Sequence, residues 1–154
     1  MNKKVDTNKS VETSNFMSLK LSAKAGNEAF ARTCVAAFAA KLDPSLDQID
    51  DIKTAVSEAV TNSIVHAQLT EHEYVTIEVL LKEHTIHITV VDEGVGIADI
   101  HQAMKPFFTT KSDQERSGLG FTLMGAFMDS LDVITLEKGL AVKMTKNIAN
   151  SKSA

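Results

Sequence analysis

Cysteine occurs once in the 154 residues, at Cys34, so the chain closes no disulfide within itself and builds no thiolate metal cluster. A reducing, cytoplasmic setting fits that usage. Nowhere do the roughly 20 apolar residues of a membrane span run together. The lysines near the N-terminus are followed by no apolar block, so neither a membrane anchor nor a secretory leader is expected. Basic residues are not clustered, and 16 Lys and Arg stand against 20 Asp and Glu for a net charge of -4. Direct nucleic-acid binding is thereby disfavoured, because a phosphate backbone rewards grouped cations. Any role in transcription would run through a protein partner. With only 2 prolines, no Pro- or Ser-rich linker and no internal repeat, the chain is expected to hold one domain over 16–148. It would be flanked by a loose polar tail over 1–15 and a short one over 149–154, both too poor in apolar residues to offset the entropy of ordering.

What is present is the composition of an ordinary folded domain, 44% hydrophobic and 23% charged. Alternation over Phe16–Ala23 predicts a first strand. Ala29, Phe30, Ala37, Phe38 and Ala40 recur at helical spacing and predict a helix over Asn27–Leu42, ended by Asp43-Pro44. A second, longer helix is expected over Leu46–Ala67, with Ile49, Ile52, Val56, Val60, Ser63 and Ile64 on one face. β-branched runs predict strands over Tyr74–Leu81 and His84–Val91, joined at Lys82-Glu83. A long glycine-rich segment follows from Asp92 to Gly120. After it come a helix over Phe121–Ser130 and a hairpin, Leu131–Leu136 with Leu140–Thr145, turning at Lys138-Gly139. Tightly joined neighbouring strands must be antiparallel. The expected fold class is therefore α+β, a two-layer sandwich of a mixed, mainly antiparallel sheet with helices on one face.

Four features carry chemistry. Glu58, Asn62 and His66 recur every four residues, which keeps them in one stripe of the long helix. A carboxylate there can act as a general base and an amide oxygen can ligate Mg²⁺, although a solvated helix face looks the same. Asp92-Glu93-Gly94-Val95-Gly96 ends a strand with an acid able to accept a hydrogen bond from adenine's exocyclic amine. Gly94 and Gly96 let backbone approach a ligand, and a glycine turn capped by Asp would read alike. Arg116-Ser117-Gly118-Leu119-Gly120 opens directly into a helix, whose free amides face a common point suited to phosphate. It matches neither a Walker A loop nor a Rossmann fingerprint. Between the glycine boxes, Phe107-Phe108-Thr109-Thr110-Lys111 reads as a lid, with Lys111 and Arg116 set to offset phosphate charge or simply to be solvated.

In order and spacing, Glu58 to His66, Asp92 to Gly96 and Gly118 to Gly120 resemble the Asn box and glycine boxes of the ATP-binding superfamily of gyrase, Hsp90, histidine kinases and MutL. More closely, the chain from about Met17 to Ser153 is similar to the anti-sigma F factors of endospore-forming bacteria, which are serine protein kinases. Carrying that similarity are Ser57-Glu58-Ala59-Val60-Thr61-Asn62, Phe107 to Lys111 and Glu115 to Phe121, extended by Phe30-Ala31-Arg32, Leu42-Asp43-Pro44 and Leu136 to Lys146. Three departures stand out: Ala67 where Gly commonly follows the His, Ser112 where Pro often follows the lid Lys, and a longer N-terminal lead. None removes a reactive group.

The resemblance implies an ATP site in which Asn62 holds Mg²⁺, Glu58 activates the serine hydroxyl of an anti-anti-sigma protein, Asp92 binds adenine and Thr145 supports the adenine from the last strand. Gly94, Gly96, Thr109, Thr110, Lys111, Arg116, Gly118, Leu119 and Gly120 would line the nucleotide, and Arg32 matches a partner-contact position. It further implies a homodimer that holds a sigma factor of RNA polymerase and releases it when the anti-anti-sigma protein arrives. A histidine-kinase catalytic domain fits less well, because no helical phosphoacceptor segment precedes Phe16. The nucleotide motifs leave open a stress-type anti-sigma kinase acting on another sigma factor, or an ATP-gated binding module without phosphoryl transfer.

Overall fold

The computed structural model describes residues 14–66, 69–95 and 120–148. The first strand, β1, spans Ser14–Ser22 and starts two residues before the alternating pattern, because Ser14 and Asn15 pair with Lys82 and Leu81. Of the tail expected over 1–15, Ser14 and Asn15 belong to β1, and 1–13 lie outside the described residues. Helix α1 covers Asn27–Ala39 and tightens into a 3-10 turn over Ala40–Leu42. Asp43 then adopts a left-handed φ of 54°, a conformation Asp tolerates, and Pro44 prevents resumption. The inward stripe of α1 is not the expected one. Ala31, Val35 and Ala39 are buried while Phe30 is 53% exposed, since small side chains let this helix lie close to its neighbours.

Helix α2, Leu46–His66, begins in a capping box. Ser45 Oγ accepts from the Gln48 N–H at 3.2 Å and Gln48 Oε1 accepts from the Ser45 N–H at 3.0 Å, an arrangement that contributes about 1 kcal/mol. Ile52, Val56 and Val60 are fully buried along its inner face. The next hairpin joins β2, Tyr74–Lys82, to β3, Thr85–Asp92, and pairs Lys82 with Thr85. Its turn lies at Glu83-His84, one residue later than predicted, with Glu83 at φ 54°. Asp92 is therefore the last residue inside β3, not the first beyond it.

The remaining elements are α3, Gly120–Phe127, then β4, Ser130–Thr135, and β5, Leu140–Asn147. The strands lie in the order β1-β2-β3-β5-β4 and every pairing is antiparallel, so no parallel pair accompanies them among the described residues. Alternate residues such as Ile77, Val79, Ile88, Val90, Val142 and Met144 are buried under the helices. Lys146 reaches into the same layer: its Nζ donates to the Phe127 carbonyl at 2.6 Å and pairs with Asp51 Oδ2 at 3.3 Å, tying the end of α3 to α2.

Candidate active site

Glu58 and Asn62, one turn apart on α2, meet α3 where it begins. A Cβ built on Gly120 would lie 3.0 Å from Asn62 Nδ2, 3.2 Å from Asn62 Oδ1 and 3.2 Å from Glu58 Oε2. The bare Cα of Gly120 thus lets a carboxylate and an amide converge on the amino end of α3. First-turn amides of a helix have no partner within it and carry partial positive charge, which favours anions nearby. A possible base, a hard oxygen ligand and an anion-attracting helix end come together. Among the described residues no group of three or more His, Cys, Asp or Glu could hold a metal ion. The donors present suit Mg²⁺ bound through one protein oxygen and completed by phosphates and water, not a protein cage.

Asp92, at the end of β3, is only 3% exposed. The Gly94 N–H donates to its Oδ1 at 2.9 Å, and the Ser63 hydroxyl and Leu140 N–H also bond the carboxylate. Burial nevertheless pushes the carboxyl above its ordinary 3.8, outweighing those hydrogen bonds, which pull it down. Because the folded state then binds the proton more tightly than the unfolded chain, Asp92's contribution to stability is complete below 3.8 and is lost as pH rises through the folded value. Asp92→Asn cannot titrate. Its stability relative to wild type is expected to rise between acid and neutral pH in urea melts, and a flat or falling difference would contradict a raised carboxyl.

Leu140, the first residue of β5, and Gly139 just before it fix Asp92. Leu140 pairs with it directly in the ladder, and Gly139, at φ +89°, turns so tightly that a Cβ there would sit 1.9 Å from the Asp92 carbonyl oxygen. Thr145 is not part of this group. It pairs with His87 on the opposite face of the sheet, and its Oγ1 lies 2.5 Å from Ser130 Oγ. The expectation that Thr145 supports a base beside Asp92 is corrected accordingly: the β5 residue that reaches Asp92 is Leu140. An odd separation in a strand places two residues on opposite faces, so Leu140 and Thr145 cannot share a ligand.

Arg32 lies on α1, where its Nη1 bonds Glu28 Oε1 at 3.0 Å and reaches Ser57 Oγ at 3.4 Å. Ser57 also bonds Glu28, so the guanidinium is anchored beside the residue preceding Glu58 while its side chain stays 41% exposed. Gly96, Thr109, Thr110, Lys111, Arg116, Gly118 and Leu119 lie outside the described residues. Ser63 and the Leu140 amide were missed from sequence. Ser63 is counted there only as core, and a backbone donor leaves no mark in a sequence.

Residues 21–146 match a family described as the histidine kinase-like ATPase domain. An anti-sigma F factor of Caldanaerobacter subterraneus subsp. tengcongensis is 52% identical over 143 residues, covering 92% of this chain and 100% of that protein. The anti-sigma F factor of Bacillus subtilis is 47% identical over 141 residues, 90% of this chain and 97% of that one. A crystal structure of the RsbU and RsbW domains of a Mycobacterium tuberculosis protein superposes with a TM-score of 0.63 at 15% identity, over 87% of this chain and 32% of that one. At that identity the likeness concerns the fold.

Proposed function

The chain belongs to the histidine kinase-like ATPase family and, within it, to the anti-sigma F factors, and from that membership we propose that it binds and inhibits a sporulation sigma factor in the cytoplasm and phosphorylates an anti-anti-sigma protein on serine with Mg-ATP. The observation that carries the catalytic part is the convergence of Glu58 and Asn62 on Gly120. Asp92 accepts from the adenine amine and the amino end of α3 faces the phosphates. Glu58 takes the proton of the substrate serine as its oxygen bonds the γ-phosphorus. The bond from that phosphorus to the bridging oxygen breaks, its electron pair leaving on ADP. Asn62, through its side-chain amide oxygen, would hold Mg²⁺, which would supply compensation of the phosphate charge. Positioning and charge compensation supply most of such a reaction, so a small site suffices. The reading includes a homodimer, as the resemblance implies.

Its test is transfer of labelled γ-phosphate from Mg-ATP to a purified anti-anti-sigma protein. Labelled phosphoserine supports the kinase. Intact ATP binding without transfer would overturn it and leave an ATP-gated sigma-binding protein.

Arg32 supplies the partner contact in this reading, because its half-exposed guanidinium is pre-positioned by Glu28 and Ser57. Arg32→Ala is expected to weaken sigma-factor capture roughly tenfold or more while leaving ATP affinity within about twofold. Unchanged capture in a pull-down titration would remove Arg32 from the interface.

A further inference from the structure

Ser63 and Asp92 are each 3% exposed, and among the described residues no buried side-chain polar atom lacks a hydrogen-bond partner. An ionised carboxylate offers about four acceptor sites. At Asp92, the Gly94 and Leu140 amides and the Ser63 hydroxyl account for three donors. With three of those sites taken by donors, a ligand group that uses the remaining one must itself donate. Adenine's 6-amino group does; the 6-oxo group of guanine or hypoxanthine does not.

The two amides are set by the β3 terminus and the β3–β5 ladder, so they hold the carboxylate from its own sheet. Ser63 alone among the donors comes from a side chain and from the helical layer, on the helix that also carries Glu58 and Asn62. A serine inside a helix usually bonds a carbonyl of the preceding turn. Here its proton goes to Asp92 instead. We propose that Ser63 is a specificity-determining positioning residue, whose hydroxyl fixes the Asp92 carboxylate so that one acceptor site stays directed at the 6-amino group of the bound purine. The proposal rests on the reading of Asp92 as the adenine acceptor. Without the hydroxyl, only the two backbone amides restrain the carboxylate's broad, two-fold terminal torsion, and the acceptor site is less firmly aimed.

The test is titration of the full chain with ATP and with inosine triphosphate, which differ at position 6 of the base and in the hydrogen that N1 carries in the 6-oxo base. For Ser63→Ala, ATP affinity is expected to fall roughly tenfold and inosine triphosphate affinity by less than about twofold, so their ratio contracts. A merely structural role would weaken both alike, since sugar and phosphates are shared. Ser63→Thr, which restores a hydroxyl, should restore the wild-type ratio. Asp92→Asn separates the proposal from its premise. If that variant keeps the wild-type ratio, Asp92 does not read the base and both fall. If it collapses the ratio while Ser63→Ala preserves it, Asp92 stands and the role of Ser63 is overturned. A ratio that contracts in Ser63→Ala and stays contracted in a folded Ser63→Thr also overturns it. The ratio is read on Ser63→Ala itself, so the decision does not depend on the threonine variant folding.

Discussion

Glu58→Gln is expected to lower phosphate transfer to the anti-anti-sigma protein by roughly two to four orders of magnitude, the usual span for removal of a general base, while ATP affinity changes by less than about twofold. Glutamine keeps the size of the side chain, so the close packing of residue 58 against Gly120 is retained and α3 need not shift. It cannot accept the serine proton. Single-turnover transfer measured beside equilibrium ATP binding separates those consequences. A loss of transfer with binding intact assigns the proton to Glu58. Undiminished transfer would strip Glu58 of that role and leave Asn62 and the end of α3 as positioning elements only. A matching loss of ATP affinity would mean that Glu58 acts mainly on nucleotide binding, contrary to the proposed division of labour with Asp92.

Different parts of this site were legible to different degrees, for reasons of geometry. Strands β2 and β3 were legible as β-branched runs, whose Val75, Ile77, Val79, Ile86, Ile88 and Val90 fill the buried face of the sheet. Glu58 and Asn62 announced themselves by helical spacing, but their meeting with Gly120 is a contact between elements far apart in the chain, which no local period encodes. In α1 the run from Ala29 to Phe38 is so rich in apolar residues that several stripes are plausible; packing distance, not hydropathy, chose Ala31, Val35 and Ala39. Thr145 failed for the opposite reason. The resemblance implied an adenine contact, whereas the strand period counted from Leu140 assigns Thr145 to the far face. Turn chemistry explains the one-residue shift of the β2–β3 hairpin, since Glu83 takes a left-handed conformation that its side chain does not advertise.

Gly139→Ala is expected to be the most damaging single methyl addition in the described residues. At φ +89° an L side chain is strained, and here its Cβ would also fall 1.9 Å from the Asp92 carbonyl oxygen and 2.6 Å from the Asp92 carbonyl carbon. Those obstacles are backbone, so no rotamer change relieves them. Strain of this kind costs on the order of 1–3 kcal/mol before the clash is counted, a large share of the roughly 5–15 kcal/mol that holds a domain together. Any relief must move β5 away from the end of β3, taking the Leu140 amide from the Asp92 carboxylate, so ATP affinity in the folded fraction should fall by about tenfold or more. Gly125→Ala is the matched control. In α3 an added methyl meets only Leu131 Cδ2, at 3.9 Å, an ordinary contact. There the change should stabilise by about 0.4–1 kcal/mol, because alanine favours a helix and restricts the unfolded chain. Urea melts of the two variants should therefore move in opposite directions, with ATP binding lost only in Gly139→Ala. Melts that move together, or a Gly139→Ala protein that binds ATP normally, would show that the turn is not what holds Asp92 in place.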